Sequence, residues 1–185
     1  MNILETILGD QNGAPVDKLA SRFGLEPQQA SSAVGALVPA VAAGLQRNMS
    51  SQSGLESLVS ALSNGNHTRY LDDPDALTND AATRDGNQIL GHVFGSKDVS
   101  RQVAATASKK TGVDAGVLKK MLPLVAAMVM GGMAKKTRTA GVSAADSRSA
   151  GGTIGSMLEP VLRGGGGSIV DDLGGVFGKM FGSRS

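Results

Sequence analysis

The sequence predicts an all-α protein: a multihelical bundle built from two related helical units, with a Gly-rich C-terminal tail carrying short amphipathic helices. Three observations predict it. Apolar residues recur at helical spacing, and no segment alternates like a strand. Prolines stand where first helical turns accept them. Glycine gathers late in the chain, with 15 in residues 1–150 and 11 in residues 151–185.

In chain order, Pro15 opens a helix over Val16–Phe23. Pro27 opens a long helix reaching about Arg47, with Ala30, Ala33, Val34, Leu37, Val41 and Leu45 on its apolar side. Ser53 is expected to cap Leu55–Leu62, and Asn64 to Asp75 reads as a polar loop ending in Asp-Asp-Pro. Asp85 is expected to cap a short helix carrying Ile89, Leu90, Val93 and Phe94. Two further helices follow, about Lys97–Thr111 and Asp114–Lys136. This places a globular domain at 1–138, a small-residue connector at 139–152 and a tail at 153–185.

The tail contains Gly164–Gly167 followed by Ser168, a flexible linker by composition. Beyond it Ile169, Leu173, Val176, Phe177, Met180 and Phe181 recur at helical spacing over about 169–182. Its interspersed glycines each cost about 1 kcal/mol relative to alanine, so this helix is expected to form when it docks. Ile154, Met157, Leu158, Val161 and Leu162 repeat the pattern earlier, interrupted by Pro160.

An internal repeat relates about 1–62 to 86–138. Ala20-Ser-Arg-Phe-Gly-Leu-Glu-Pro and Ala107-Ser-Lys-Lys-Thr-Gly-Val-Asp each lead into an apolar helix. Those helices carry Pro39-Ala-Val-Ala-Ala and Pro123-Leu-Val-Ala-Ala, and Ile7-Leu8-Gly9 matches Ile89-Leu90-Gly91 upstream. The distance from turn glycine to helix proline is 15 residues in one copy and 11 in the other. The difference is about one helical turn, which keeps the same face inward.

Composition excludes several functions. With no Cys there is no disulfide, thiolate metal site or cysteine nucleophile, and two His exclude a site of several imidazoles. Aromatics at 3% argue against a stacking platform for sugars or single strands. The start has no basic segment before a long apolar core, and the runs Ala33–Leu45 and Met121–Ala134 fall short of the roughly 20 residues of a membrane span. A soluble cytoplasmic protein is the expectation.

Charge is divided. Residues 1–96 hold five basic and ten acidic side chains, and residues 97–138 hold nine and two, inside an overall net charge of +2. Such a molecule can steer opposite ends of two chains together or meet an anionic partner. A small residue four before the turn glycine, Ala20 before Gly24 and Ser108 before Gly112, is a helix-turn-helix-like pattern. Its second copy brings Lys109, Lys110, Lys119 and Lys120, suited to phosphates, which makes a DNA-binding module the alternative reading.

Asn66-His67-Thr-Arg69-Tyr70-Leu-Asp72-Asp73-Pro74-Asp75 is the most diverse cluster. A metal-dependent enzyme around His67, Asp72, Asp73 and Asp75 is a remote alternative. The structural reading has the carboxylates at a helix start, Arg69 paired with a carboxylate, and Tyr70 and Leu71 anchoring the loop on the core. His92 reads as a half-buried packing histidine.

Phe23-Gly-Leu, Pro39-Ala-Val-Ala-Ala-Gly-Leu, Gly65-Asn-His-Thr-Arg-Tyr-Leu-Asp-Asp73 and Asp85-Gly-Asn-Gln-Ile-Leu-Gly-His-Val-Phe-Gly-Ser-Lys97 resemble the bacterial domain-of-unknown-function 937 family, related to the YidB-like proteins. The resemblance covers most of residues 1–136. It implies a bundle of helices in a soluble bacterial protein and brings no catalytic residues, leaving His67, Arg69, Tyr70, Asp72, Asp73 and His92 as signature residues without a role.

The expectation is therefore a non-enzymatic module that associates with itself as a homo-oligomer or with another protein. Leu173, Val176, Phe177, Met180 and Phe181 form its docking element. No cofactor, metal ligand or small-molecule substrate is expected.

Overall fold

The structure, a computed structural model, describes residue 7, residues 13–141 and residues 147–164. Among the described residues it is all-helical, without a strand. The elements are α1 (Ala14–Phe23), α2 (Pro27–Met49), α3 (Gln52–Asn64), α4 (Arg69–Asp72), a 3-10 helix (Pro74–Thr78), α5 (Asp80–Phe94), α6 (Lys97–Thr111), α7 (Ala115–Thr139) and α8 (Ser147–Gly164).

Two helices form the centre because they are apolar on every side. In α2 the residues from Ala36 to Ala42 are all buried, and in α7 every residue from Met121 to Ala134 is. The buried stretch of α7 includes Met121, Met128, Met130 and Met133. This helix has the length and hydropathy to cross a membrane, yet 83% of its apolar window lies inside the fold, under α2, α5, α6 and α8. Both central helices contain a proline, Pro39 and Pro123, and run through it.

The corners leading into these helices share one conformation. α1 ends at Gly24 with φ 64°, and its N–H donates to the Ala20 carbonyl. α6 ends at Gly112 with φ 72°, and its N–H donates to the Ser108 carbonyl. This left-handed cap favours glycine, which has no Cβ to clash. α2 then starts with a reciprocal Glu26–Gln29 capping box and Pro27, and α7 starts under the Asp114 carboxylate.

Four sequence expectations change. Ser51, not Ser53, caps α3: its Oγ accepts from the Gly54 N–H at 3.1 Å. Asp85 caps nothing, because α5 already begins at Asp80 under the Asn79 side chain. The loop expected over 64–75 contains α4 and the start of the 3-10 helix.

The fourth concerns the connector. Residues 147–152 are helical and continue into α8, which runs through Pro160 and packs on α2, α3 and α7. Ile154, Leu158 and Val161 are all but fully buried there. That apolar stripe gives the helix a seat on the body, and Pro160 lies on its exposed side.

Candidate functional site

α4 is a single turn, fixed to the body by Tyr70 and Leu71, each 1% exposed. Burial of the tyrosine ring demands a partner for its hydroxyl. That partner is Asp85 on α5: the Tyr70 hydroxyl donates to Asp85 Oδ2. Arg69 Nη2 closes the group, 2.6 Å from the Tyr70 oxygen and 2.8 Å from Asp85 Oδ2. The guanidinium also lies 4.7 Å from the centre of the Tyr70 ring. Burial holds the Tyr70 hydroxyl above its ordinary pKa, and the bond to Asp85 adds to that. The phenol stays protonated and donates.

His67 precedes this turn and is half-buried. Burial lowers its pKa first; Arg69 lowers it further, and Asp85 acts in the opposite sense. Its Nδ1 is enclosed without a hydrogen-bond partner. The backbone here lies against α7, since a Cβ on Gly131 would come 2.6 Å from the His67 carbonyl oxygen.

The remaining carboxylates are exposed and dispersed. Asp72 faces Lys135 at 3.4 Å, Asp75 pairs with Lys18, and Asp73 Oδ1 accepts from the Asp75 N–H at the head of the 3-10 helix. The Asp75 hydrogen bond, then its charge, raises the Lys18 pKa. Among the described residues no three His, Asp or Glu side chains gather to hold a metal. The remote grouping of His67, Asp72, Asp73 and Asp75 is therefore not assembled as one site.

His92, expected half-buried, is exposed. Val93 and Phe94 take the core positions of the last turn of α5, which turns His92 outward.

Lys109, Lys110, Lys119 and Lys120 are all exposed around the α6–α7 corner. The three-residue turn between these helices has helix-turn-helix proportions. A groove-reading helix must bare one face over several turns, however, and α7 is buried from Met121 onward. The corner offers lysines for phosphate or carboxylate, without a recognition helix behind them.

Exposed Asp72, Asp73, Asp75 and Asp80 fall between α4 and the start of α5; Asp72 meets α7 at Lys135, and Asp75 pairs with Lys18 on α1. From Lys119 to Lys135 the helix rises about 24 Å at about 1.5 Å per residue. Basic side chains occupy both ends of the central helix, because its last turns hold Lys135, Lys136 and Arg138. Leu173, Val176, Phe177, Met180 and Phe181 lie outside the described residues.

Sequence reasoning foresaw a carboxylate for Arg69 and missed that it is Asp85. The usable signal was that two of the strings that carry the family resemblance, Gly65–Asp73 and Asp85–Lys97, each hold one half of the contact. The family described as bacterial protein of unknown function (DUF937) matches residues 5–136. No curated protein and no solved structure matches the chain.

Proposed function

This chain belongs to the bacterial DUF937 family, whose function is unknown, and from that premise we propose that it is a non-enzymatic helical interaction module that self-associates. The lysine corner of one copy meets Asp72, Asp73, Asp75 and Asp80 of the next. The carrying observation is the division of charge along the chain, with nine basic and two acidic side chains over 97–138, Lys109, Lys110, Lys119 and Lys120 among them, against five and ten over 1–96, Asp72, Asp73, Asp75 and Asp80 among them. Opposite net charges on separate parts of one chain favour a heterologous contact, which closes into a ring or continues as a filament. The α1–α2 and α6–α7 corners are read as two related units, and the tail residues Leu173 and Phe177 as a second contact.

The Asp85 carboxylate fits this reading, because Tyr70 and Arg69 already occupy it and it is not poised to move a substrate proton. The test is the light-scattering mass of the full chain near 50 mM and near 500 mM salt, since screening shortens the reach of exposed charges. A mass above one chain that falls at high salt is expected. The quadruple variant K109E/K110E/K119E/K120E should be monomeric throughout. A monomer in every condition, or duplex DNA captured by these lysines in place of a second copy, overturns self-association.

A further inference from the structure

A cavity of about 340 Å³ opens between α2, α3, α5 and α7. Its apolar side is Leu45, Leu58, Ile89, Val93 and Met130, each at most 9% exposed. Ser57, Asn66, Gln88 and His92 are exposed and form the outer lining. The volume falls in the range of small-molecule sites, and far smaller apolar cavities, about 150 Å³, hold benzene.

Three half-buried polar side chains lie between the apolar part and the rim, and Asn48 donates to the His92 carbonyl. Asp85 is taken by Tyr70 and Arg69. His67 is left. An orphaned N–H is costlier to bury than an orphaned lone pair, so the enclosed Nδ1 takes the bare lone pair and Nε2 carries the proton. Burial keeps the ring neutral. His67 therefore offers an N–H donor beside an apolar surface.

We propose that this cavity binds a small apolar molecule bearing one hydrogen-bond acceptor, a carbonyl or carboxylate, with the acceptor on His67 Nε2 and the body against Leu45, Leu58, Ile89 and Met130. No chemistry on the ligand is involved. The cavity is a receptor site, separate from the lysine corner between α6 and α7.

The probes are benzene, acetophenone and benzoate, which share a ring and differ in the acceptor, titrated into the full chain and followed by amide NMR shifts. Acetophenone, benzoate or both should bind roughly three- to tenfold tighter than benzene, the worth of one net hydrogen bond. An acceptor preference restricted to benzoate identifies a carboxylate ligand, and one shown by acetophenone a carbonyl. S57W, at an exposed position, should plug the opening and abolish binding of all three. H67F should erase the acceptor preference and keep benzene binding, and H67Q, which restores a donor, should recover part of it. Absence of binding by every probe, equal binding of all three, or binding unchanged in S57W would overturn the proposal.

Discussion

Gly86 on α5 lies against Pro123 on α7 so closely that a Cβ on the glycine would come 1.9 Å from the proline carbonyl oxygen. The obstacle is helix backbone, which cannot step aside as a side-chain end can. Glycine inside a helix ordinarily loses about 1 kcal/mol to alanine, so G86A on an open surface would stabilise. Here the added methyl must push α5 off α7, and overpacking costs about 1–3 kcal/mol. The expected outcome is a lower urea midpoint for G86A. A higher midpoint would show that the two helices are not held this close.

The Tyr70–Asp85 contact yields a pair of unequal variants. D85A leaves the hydroxyl of a 1%-exposed tyrosine without its acceptor, a loss of about 1–3 kcal/mol. Y70F removes the donor instead and leaves Asp85 with Arg69, so its effect should be smaller, about 1 kcal/mol. Chemical denaturation of both variants checks the order. Equal losses would mean that the hydroxyl is not the group at stake.

Acid should weaken the fold through His67. Burial lowers its pKa, so just below the ordinary histidine value of about 6.5 the unfolded chain binds more protons than the folded one. This contribution to stability is intact above that value and is lost as pH falls through it toward the folded value. Urea midpoints at pH near 7.5 and near 5.5 should drop for the natural sequence and drop less for H67Q. An identical decline in both sequences would assign the acid sensitivity to other groups.

α8 belongs energetically to the body. Leu158 is fully buried, and truncating a core leucine to alanine costs about 2–5 kcal/mol. L158A should therefore lower the thermal midpoint of the whole molecule in a single transition. A variant ending at residue 141 should lose more, because it also bares the surface that Ile154 and Val161 cover. If L158A melts like the natural chain, α8 is peripheral.

The helical class was legible because its signals are local. Pro27, the glycines before the two central helices and the apolar spacing of α7 each act within a few residues. The contact of Tyr70 with Asp85 was not legible: 15 residues separate the pair, and nothing in Asp85 itself distinguishes a cap from an internal partner. The misassigned caps follow from the same limit, since Ser51 and Ser53 offer identical chemistry two residues apart and the backbone turn decides between them. Pro160 read as a break because sequence shows the missing N–H and hides the apolar seat beneath α8. His92 was misplaced because a one-position rotation on α5 is beyond a count of neighbouring apolar residues.

The sulfur atoms of the central helix have a chemical consequence. Met121, Met128 and Met133 are fully enclosed, and Met130 shows 2% of its surface at the cavity, whereas Met49 and Met157 are only partly covered. Hydrogen peroxide should convert the partly covered thioethers to sulfoxides quickly and reach the enclosed ones only when the molecule opens. Peptide mass spectrometry over time thus turns α7 into a clock for spontaneous opening. A polar sulfoxide has no place among the side chains around α7, so a chain oxidised there should not close again. Brief exposure of the centre would become a permanent record of damage.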